Sequence, residues 1–248
     1  MGQANQDSLL KVWASGKADA ATFNDLIWAY VFNQPDSAIY FGGLGMKWCA
    51  KHKNDSLLAS IQNRVGVAYD IKSIPDSALF FYQLALKESK RTGNKKTEGG
   101  ALNNMGLIYW NKGESVKAID HYIQAAEIFK QIDNQVGLGN AYNNIALILY
   151  EDGEASKSRQ YNLKALKIRL AAGHEYGIAA SYSNLAQLYT NEPFNKFDSA
   201  IYYLQLSIPI KEKLNDKFGL SKVYHSLADL YTDQNRLQEA LENHQKAL

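Results

Sequence analysis

The sequence predicts an all-α fold, a right-handed superhelical solenoid built from helix–turn–helix pairs. Three observations lead there. The phrase "NRVGVAYDIKSIPDSALFFYQLAL" at Asn63 has counterparts starting at Asn103, Asn143, Ser183 and His225, at steps of 40, 40, 40 and 42 residues. Within each copy the apolar residues fall at i, i+3, i+4 and i+7, the spacing of one helical face. Each face is then interrupted by a short turn signal such as "NKGE" or "EDGE". A lone helix pair leaves its apolar stripe in water, so repeats of this length must stack on one another.

Residues 1–18 read as an N-terminal capping segment, and the solenoid follows over 19–248 as about six repeats: 19–58, 59–98, 99–138, 139–178, 179–220 and an incomplete 221–248. The first copy, "NDLIWAYVFNQPDSAIYFGGLGMKW", is weak, but its "PDSA" at Pro35 recurs 40 residues on at Pro75. It carries Gly42, Gly43 and Gly45 inside a predicted helix, where each costs about 1 kcal/mol relative to alanine. Gly45 aligns with the small residue Ala85, whereas Gly42 and Gly43 align with Tyr82 and Gln83 and have no packing reason. A looser or bent first pair is expected.

The third and sixth repeats show the pattern most fully, and the third serves as the example. Leu102, Met105, Gly106 and Tyr109 form the inner face of its first helix, and Gly113 supplies a left-handed stop. Ala118, Tyr122 and Ala125 line the second helix. In the fourth repeat Asn162 replaces the aromatic, and the adjacent Tyr161 is expected to stand in for it. The fifth absorbs two extra residues near Glu192 to Phe197, in a turn where insertion is cheap. Its Pro209 removes a backbone donor mid-helix, which predicts a kink near Gln205 to Pro209. Across the repeats, small residues (Gly66, Gly106, Ala146, Ala186, Ala228 on first helices; Ala78, Ala118, Ala200, Ala240 on second helices, with Ser158 the exception) alternate with Tyr69, Tyr109, Leu149, Tyr189 and Tyr231. Small against large, in register, is how neighbouring helices interlock.

This pattern resembles the tetratricopeptide repeat, from about Ala59 to the end and loosely from Asp19. The family's usual length is about 34 residues. The 40-residue period is similar to the long-repeat branch, which includes cell-polarity scaffolds, bacterial peptide-pheromone receptors and the sensor regions of bacterial two-component regulators. The opening "DSLLKVW" and the "DSAIYY"-like second helices look most like the N-terminal sensor region of a two-component sensor histidine kinase. That resemblance implies a periplasmic location, with the cytoplasm as alternative, and an output region elsewhere in a larger protein. The beginning lacks a signal peptide's apolar run and the end stops inside a helical pattern, so the chain reads as a piece of something longer.

Several functions are disfavoured. Twenty-seven basic residues against 25 acidic ones leave no excess for a nucleic-acid footprint. No apolar run reaches the roughly 18 residues of a membrane span, so no membrane contact is expected. Five scattered histidines and the single Cys49 form no metal-ligand spacing and no nucleophile–base set, so no catalytic residue, metal or cofactor is expected. "GGLGMK" and "GLGNAY" follow no strand and read as helix and turn residues rather than phosphate loops. The run "KESKRTGNKK" reads as a solvated turn.

What remains is a binding surface. If Leu102, Met105 and Tyr109 pack against neighbours, then Asn103, Leu107 and Trp110 face a groove. Their counterparts are Asn63 and Asp70; Asn143, Leu147 and Tyr150; Ser183 and Gln187; His225 and Asp229. Asn63, Asn103 and Asn143 make an amide ladder able to donate and accept along an extended peptide. Stacked helices about 8–10 Å apart would meet such a peptide roughly every third residue. Bracing of the stack is the other role that fits these asparagines. A second series, Asn104, Asn144 and Asn184, stands where the resembled family braces neighbouring repeats, and reads as structural. Trp110 either contacts a ligand or covers the next helix. That family's clamp for a C-terminal carboxylate uses groove cations. The matching positions here hold Asn63, Val67, Asn104, Asn140 and Asn144, so the clamp asparagine is present, every cation is missing and the groove looks neutral.

The expected function is therefore a non-catalytic sensory or regulatory module that binds a peptide or protein segment in a concave groove. The alternative is a scaffold that self-associates through its convex face or ends, using Leu237, Leu241 and Leu248 of the last helix.

Overall fold

The computed structural model describes residues 3–191 and 193–247, so expectations on Glu192 and Leu248 lie outside the described residues. Those residues form thirteen α-helices and no strand. The chain divides into two compact units, residues 1–133 and 134–248. The first holds α1 (Gln3–Ala14), α2 (Ala20–Tyr30), α3 (Pro35–His52), α4 (Asp55–Ile71), α5 (Pro75–Thr92), α6 (Lys95–Asn111) and α7 (Ser115–Gln131). The second holds α8 (Gln135–Glu151), α9 (Ala155–Ala171), α10 (Glu175–Thr190), α11 (Phe197–Lys213), α12 (Lys217–Asp233) and α13 (Leu237–Ala247). Within each unit successive helices pack as hairpins, and hairpins pack side by side. Among the described residues no helix is long and apolar enough to cross a membrane.

Caps set the phase of the repeats. Asn94, Asn134 and Asp216 accept from the backbone N–H three residues on, starting α6, α8 and α12. First helices therefore begin at Asp55, Lys95, Gln135, Glu175 and Lys217, four residues ahead of the bounds drawn from the sequence. Gly93, Gly113, Gly153 and Gly173 end helices at φ of 71°, 75°, 76° and 62°. The repeated "DSA" phrase also has a cause. Asp36 takes Lys72, Asp76 takes Lys112 at 2.8 Å, and Asp198 takes Gln234 at 3.0 Å, each from the turn after the next first helix. These clasps are exposed, so each adds at most about 1 kcal/mol.

The cores follow the small-and-large alternation, with a refinement. In α4 and α5, a Cβ on Gly66 would lie 2.5 Å from the Tyr82 ring; in α6 and α7, one on Gly106 would lie 2.9 Å from Tyr122. Both tyrosines are fully buried. Where the glycine becomes alanine, the partner shrinks: Ala146 sits by Asn162, and Ala186 by Leu204. Tyr161 does not stand in for the missing aromatic. It packs edge-on against Tyr142, with centroids 5.7 Å apart, while Asn162 is buried and donates to Ser158 Oγ at 3.4 Å.

The glycines of α3 also differ from expectation. A Cβ at Gly42 would fall 2.2 Å from Val65 Cγ2 on α4, and one at Gly45 would fall 2.8 Å from Phe23 Cβ on α2. Gly42 therefore has a packing reason: it lets α3 press against α4, and the first hairpin is tightly seated rather than loose. Gly43 faces open space, and nothing in the structure explains it. The helix α1 adds Leu9, Leu10 and Trp13 to the same core. In the second unit α11 continues through Pro209 to Lys213.

A paired substitution tests this packing. Gly66→Ala is expected to lower stability by about 1–3 kcal/mol through overpacking, despite the roughly 1 kcal/mol that alanine gains in a helix. Gly43→Ala, with room for its methyl, should raise stability by up to about 1 kcal/mol. Urea unfolding of both variants reads the opposite signs.

Candidate functional site

The two asparagine series meet one another. In the first unit Asn104 Nδ2 donates to Asn63 Oδ1 at 3.3 Å, joining α6 to α4. In the second, Asn184 Nδ2 donates to Asn143 Oδ1 at 2.9 Å, joining α10 to α8. Each of these inward amides thus spends its oxygen on the stack. The remaining first-helix residues singled out in the first unit, Asp70, Asn103, Leu107 and Trp110, are half-buried, and burial pushes the Asp70 carboxyl above the usual carboxylate range. Asn144, Leu147 and Tyr150 on α8 are half-buried as well, and the Tyr150 hydroxyl accepts from Asn191 Nδ2 at 2.7 Å.

In the second unit, the first helices α10 and α12 lack the brace. At the equivalent positions α10 and α12 carry Ser183 and Ser226, and the Ser183 hydroxyl turns back to Ala179 O at 3.1 Å. A hydroxyl on one carbon is too short to cross where two amides did. A cavity of about 420 Å³ opens there, with Leu204 of α11 behind it and the small residues Ala186 and Gly219 in its lining. It gathers Ser183, Gln187 and Asp229 from the residues expected at a groove, together with Thr190. His225 does not line it; the ring stands edge-on to His244 of α13 with centroids 5.8 Å apart. The following residue, Ser226, takes that place.

The walls of this cleft are polarised. Lys211 and Lys222 lie toward the start of α12, Asp229 and Asp233 toward its end. At 1.5 Å per residue, Lys222 and Asp233 are roughly 16 Å apart along the helix. Lys211 is largely shielded and paired with Asp216 at 3.2 Å. The Gly219 N–H first, and then Lys211, hold the Asp216 carboxyl below its usual range. Lys222 lies over the Phe218 ring, 4.3 Å from its centroid.

The groove positions also conceal a cation. Arg169 leaves α9, passes between α8 and α10, and is only 4% exposed. Its Nη1 donates to Asn143 Oδ1 at 3.2 Å, Gly177 O at 3.1 Å and Ser181 Oγ at 2.7 Å, and its Nη2 donates to Asn140 Oδ1 at 2.9 Å. Gly139 and Gly177 make the passage; a Cβ on them would lie 3.2 Å and 2.8 Å from the arginine side chain. Reading groove positions on first helices alone missed this residue, because it arrives from a second helix. The signal was present: arginine stands where earlier repeats have Ser89 and Phe129.

A sequence profile of the tetratricopeptide-repeat family matches residues 97–171 and 137–213, and a second of the same description matches residues 221–248; together they take in more than half the chain. Among solved structures, the apo form of the quorum sensor NprR from B. thuringiensis is similar, with a TM-score of 0.75 and 23% identity over 98% of this chain and 69% of that one. A signal transduction ATPase with numerous domains from Pyrococcus horikoshii, with a tetratricopeptide repeat sensor, gives a TM-score of 0.75 at 17% identity over 92% of this chain. This chain spans only 36% of that protein. BtubC from P. vanneervenii gives 0.69 at 20% identity over 86% of this chain and 90% of that one. At such identities the likeness speaks to the fold. No curated protein matches this chain.

Proposed function

Because the chain belongs to the tetratricopeptide-repeat family, we propose that it is a non-catalytic regulatory module that holds an extended peptide or protein segment in the cleft between α10 and α12. One observation carries this reading. Where the asparagine brace lapses, Ser183, Gln187 and Asp229 surround a single cavity with an apolar back and polar walls. Pockets of a few hundred Å³ with convergent polar groups are the usual seats of ligands. An extended segment advances about 3.3 Å per residue, so about five residues bridge the lysines and the aspartates.

Probing an array of heptapeptides with labelled protein tests the reading. A subset should be captured, and Ser226→Trp, which fills the cleft from an exposed face of α12, should weaken capture roughly tenfold or more. Capture of nothing, or capture indifferent to Ser226→Trp, rejects it. A finer version makes the module the sensory region of a larger bacterial signalling protein, in the periplasm or alternatively the cytoplasm. Its support is that two similar structures are described as a quorum sensor and a repeat sensor. A stop codon directly after Leu248 in the gene would remove that version.

A second reading is self-association. Leu237 and Leu241, one turn apart on α13, are 63% and 53% exposed. Sedimentation of the same preparations separates the two: a concentration-dependent dimer dissociated by Leu241→Glu favours the scaffold role, and a monomer at all concentrations removes it.

A further inference from the structure

Two second helices of the first unit carry the same outward stripe. On α3 it runs Tyr40, Gly43 and Lys47; on α5 it runs Phe80, Gln83 and Lys87. Tyr40 and Phe80 are 56% and 55% exposed. Each ring is held edge-on by its neighbour, Phe41 or Phe81, with centroids 5.5 and 5.3 Å apart. On α7 the aromatic and lysine positions hold Asp120 and Glu127. The pattern is therefore no requirement of the repeat.

Towards the ends of α3 and α5 the charge becomes one-sided. Lys47, Lys51, Lys53, Lys87, Lys90 and Lys96 are all exposed. The acids among them, Asp55, Glu88 and Glu98, are taken by Arg91 and Lys95, which leaves the six lysines in surplus. At the other end of the stripes, Asp36 and Asp76 are neutralised by Lys72 and Lys112. The run "KESKRTGNKK" taken alone is a solvated turn, but folding sets a second lysine group beside it. Arg91 at the end of α5 reaches Asp55 at the start of α4, and Ser60 of α4 shares a 3.0 Å hydrogen bond with Thr97 of α6.

Helix dipoles account for only part of this charge. Lys51 and Lys90 sit in last turns, where cations are favoured. Lys95 and Lys96 begin α6, where cations are disfavoured, and Glu98 answers Lys95. The chemistry of the cations narrows the partner. Arginine grips carboxylates and phosphodiesters with two prongs, and Arg91 is already engaged by Asp55 and Glu88. Lysines on long stems, ranked with half-exposed aromatics on two equivalent helices, suit a fluid anionic surface. Seven residues separate each ring from its lysine, roughly 10 Å along the helix, so rings and ammonium groups reach one plane together.

We infer that the outward face of α3 and α5 docks on an anionic phospholipid surface. The lysines meet the headgroup charge, and Tyr40 and Phe80 enter between the headgroups. Such a contact lies on the membrane and needs no spanning helix, so the absence of an apolar run in the sequence does not bear on it.

Cosedimentation of the full chain with vesicles tests the inference, using phosphatidylcholine alone or with about 30% phosphatidylserine. The protein should bind the second kind and not the first. Salt at about 1 M, where the Debye length is about 3 Å, should release most of it. Lys47→Gln with Lys87→Gln should weaken binding roughly thirtyfold, at the usual worth of a lysine beside such a surface. Tyr40→Ser with Phe80→Ser leaves the charge unchanged and should also weaken binding, which separates insertion from attraction alone. Gly43→Glu guards against a folding artefact, since a side chain there meets open space. Its Tm should hold or rise while binding falls about fivefold. Equal binding to both vesicles, no binding to either, or indifference to either paired substitution overturns the inference. So does tighter capture of a polyglutamate peptide or of duplex DNA than of the phosphatidylserine vesicles, which would give the face to an acidic protein or to nucleic acid.

Discussion

Replacing Tyr122 by alanine should cost about 3–5 kcal/mol, a large share of the stability of a domain this size. The ring is fully buried and lies where Gly106 has no side chain, so truncation leaves a hole that neighbouring helices close only by moving. Tyr122→Phe should behave oppositely. The phenol oxygen is buried and has no hydrogen-bond partner, and removing an unsatisfied polar atom should gain up to about 1 kcal/mol. Chemical denaturation of the two variants checks both signs. A Phe variant less stable than wild type would mean that the hydroxyl is satisfied after all.

Raising the pH should unfold the first unit early. Burial, and then the charge of Asp70, push the phenols of both Tyr82 and Tyr122 far above the usual tyrosine range. In the unfolded chain they ionise near pH 10. Above that pH the unfolded state binds fewer protons than the folded state, so the linkage slope is negative and stability falls as pH rises. Each tyrosine contributes about 1.4 kcal/mol of loss per pH unit, about 3 kcal/mol for the pair. Below about pH 10 neither contributes any slope. The double variant Tyr82→Phe and Tyr122→Phe should flatten the alkaline limb measured by urea midpoints at stepped pH. An unchanged limb would place the sensitivity elsewhere.

Much of the architecture could be read from residue order, because helix periodicity and turn chemistry are local. The inner residues Ala118, Tyr122 and Ala125 are all fully buried, and Gly113 has its left-handed φ of 75°. Gly42 was opaque for the opposite reason: its cause is a distance to Val65, a residue 23 positions away on another helix. Asn162 was misjudged by looking for a substitute ring beside it, when the compensation lay across the hairpin at Ala146. The site was harder still. Comparing groove positions with the clamp of the resembled family found no cation, since that comparison scans first helices only. Arg169 enters from behind. The cleft between α10 and α12 shows in the sequence only as an asparagine series that lapses into Ser183 and Ser226, a signal that gains meaning once Asn184 is seen to reach Asn143.

The matched pairs Gly66 with Tyr82, Gly106 with Tyr122, Ala146 with Asn162 and Ala186 with Leu204 each lie inside one hairpin. That restricts how the chain can have grown. A duplication whose seam fell in the turn between the two helices of a hairpin would set an alanine against a tyrosine, or a glycine against an asparagine, and jam or hollow the new copy. A seam in the loops at Asn94 or Asn134 copies lock and key together. Engineered insertions or deletions of repeats should therefore be cut at hairpin boundaries.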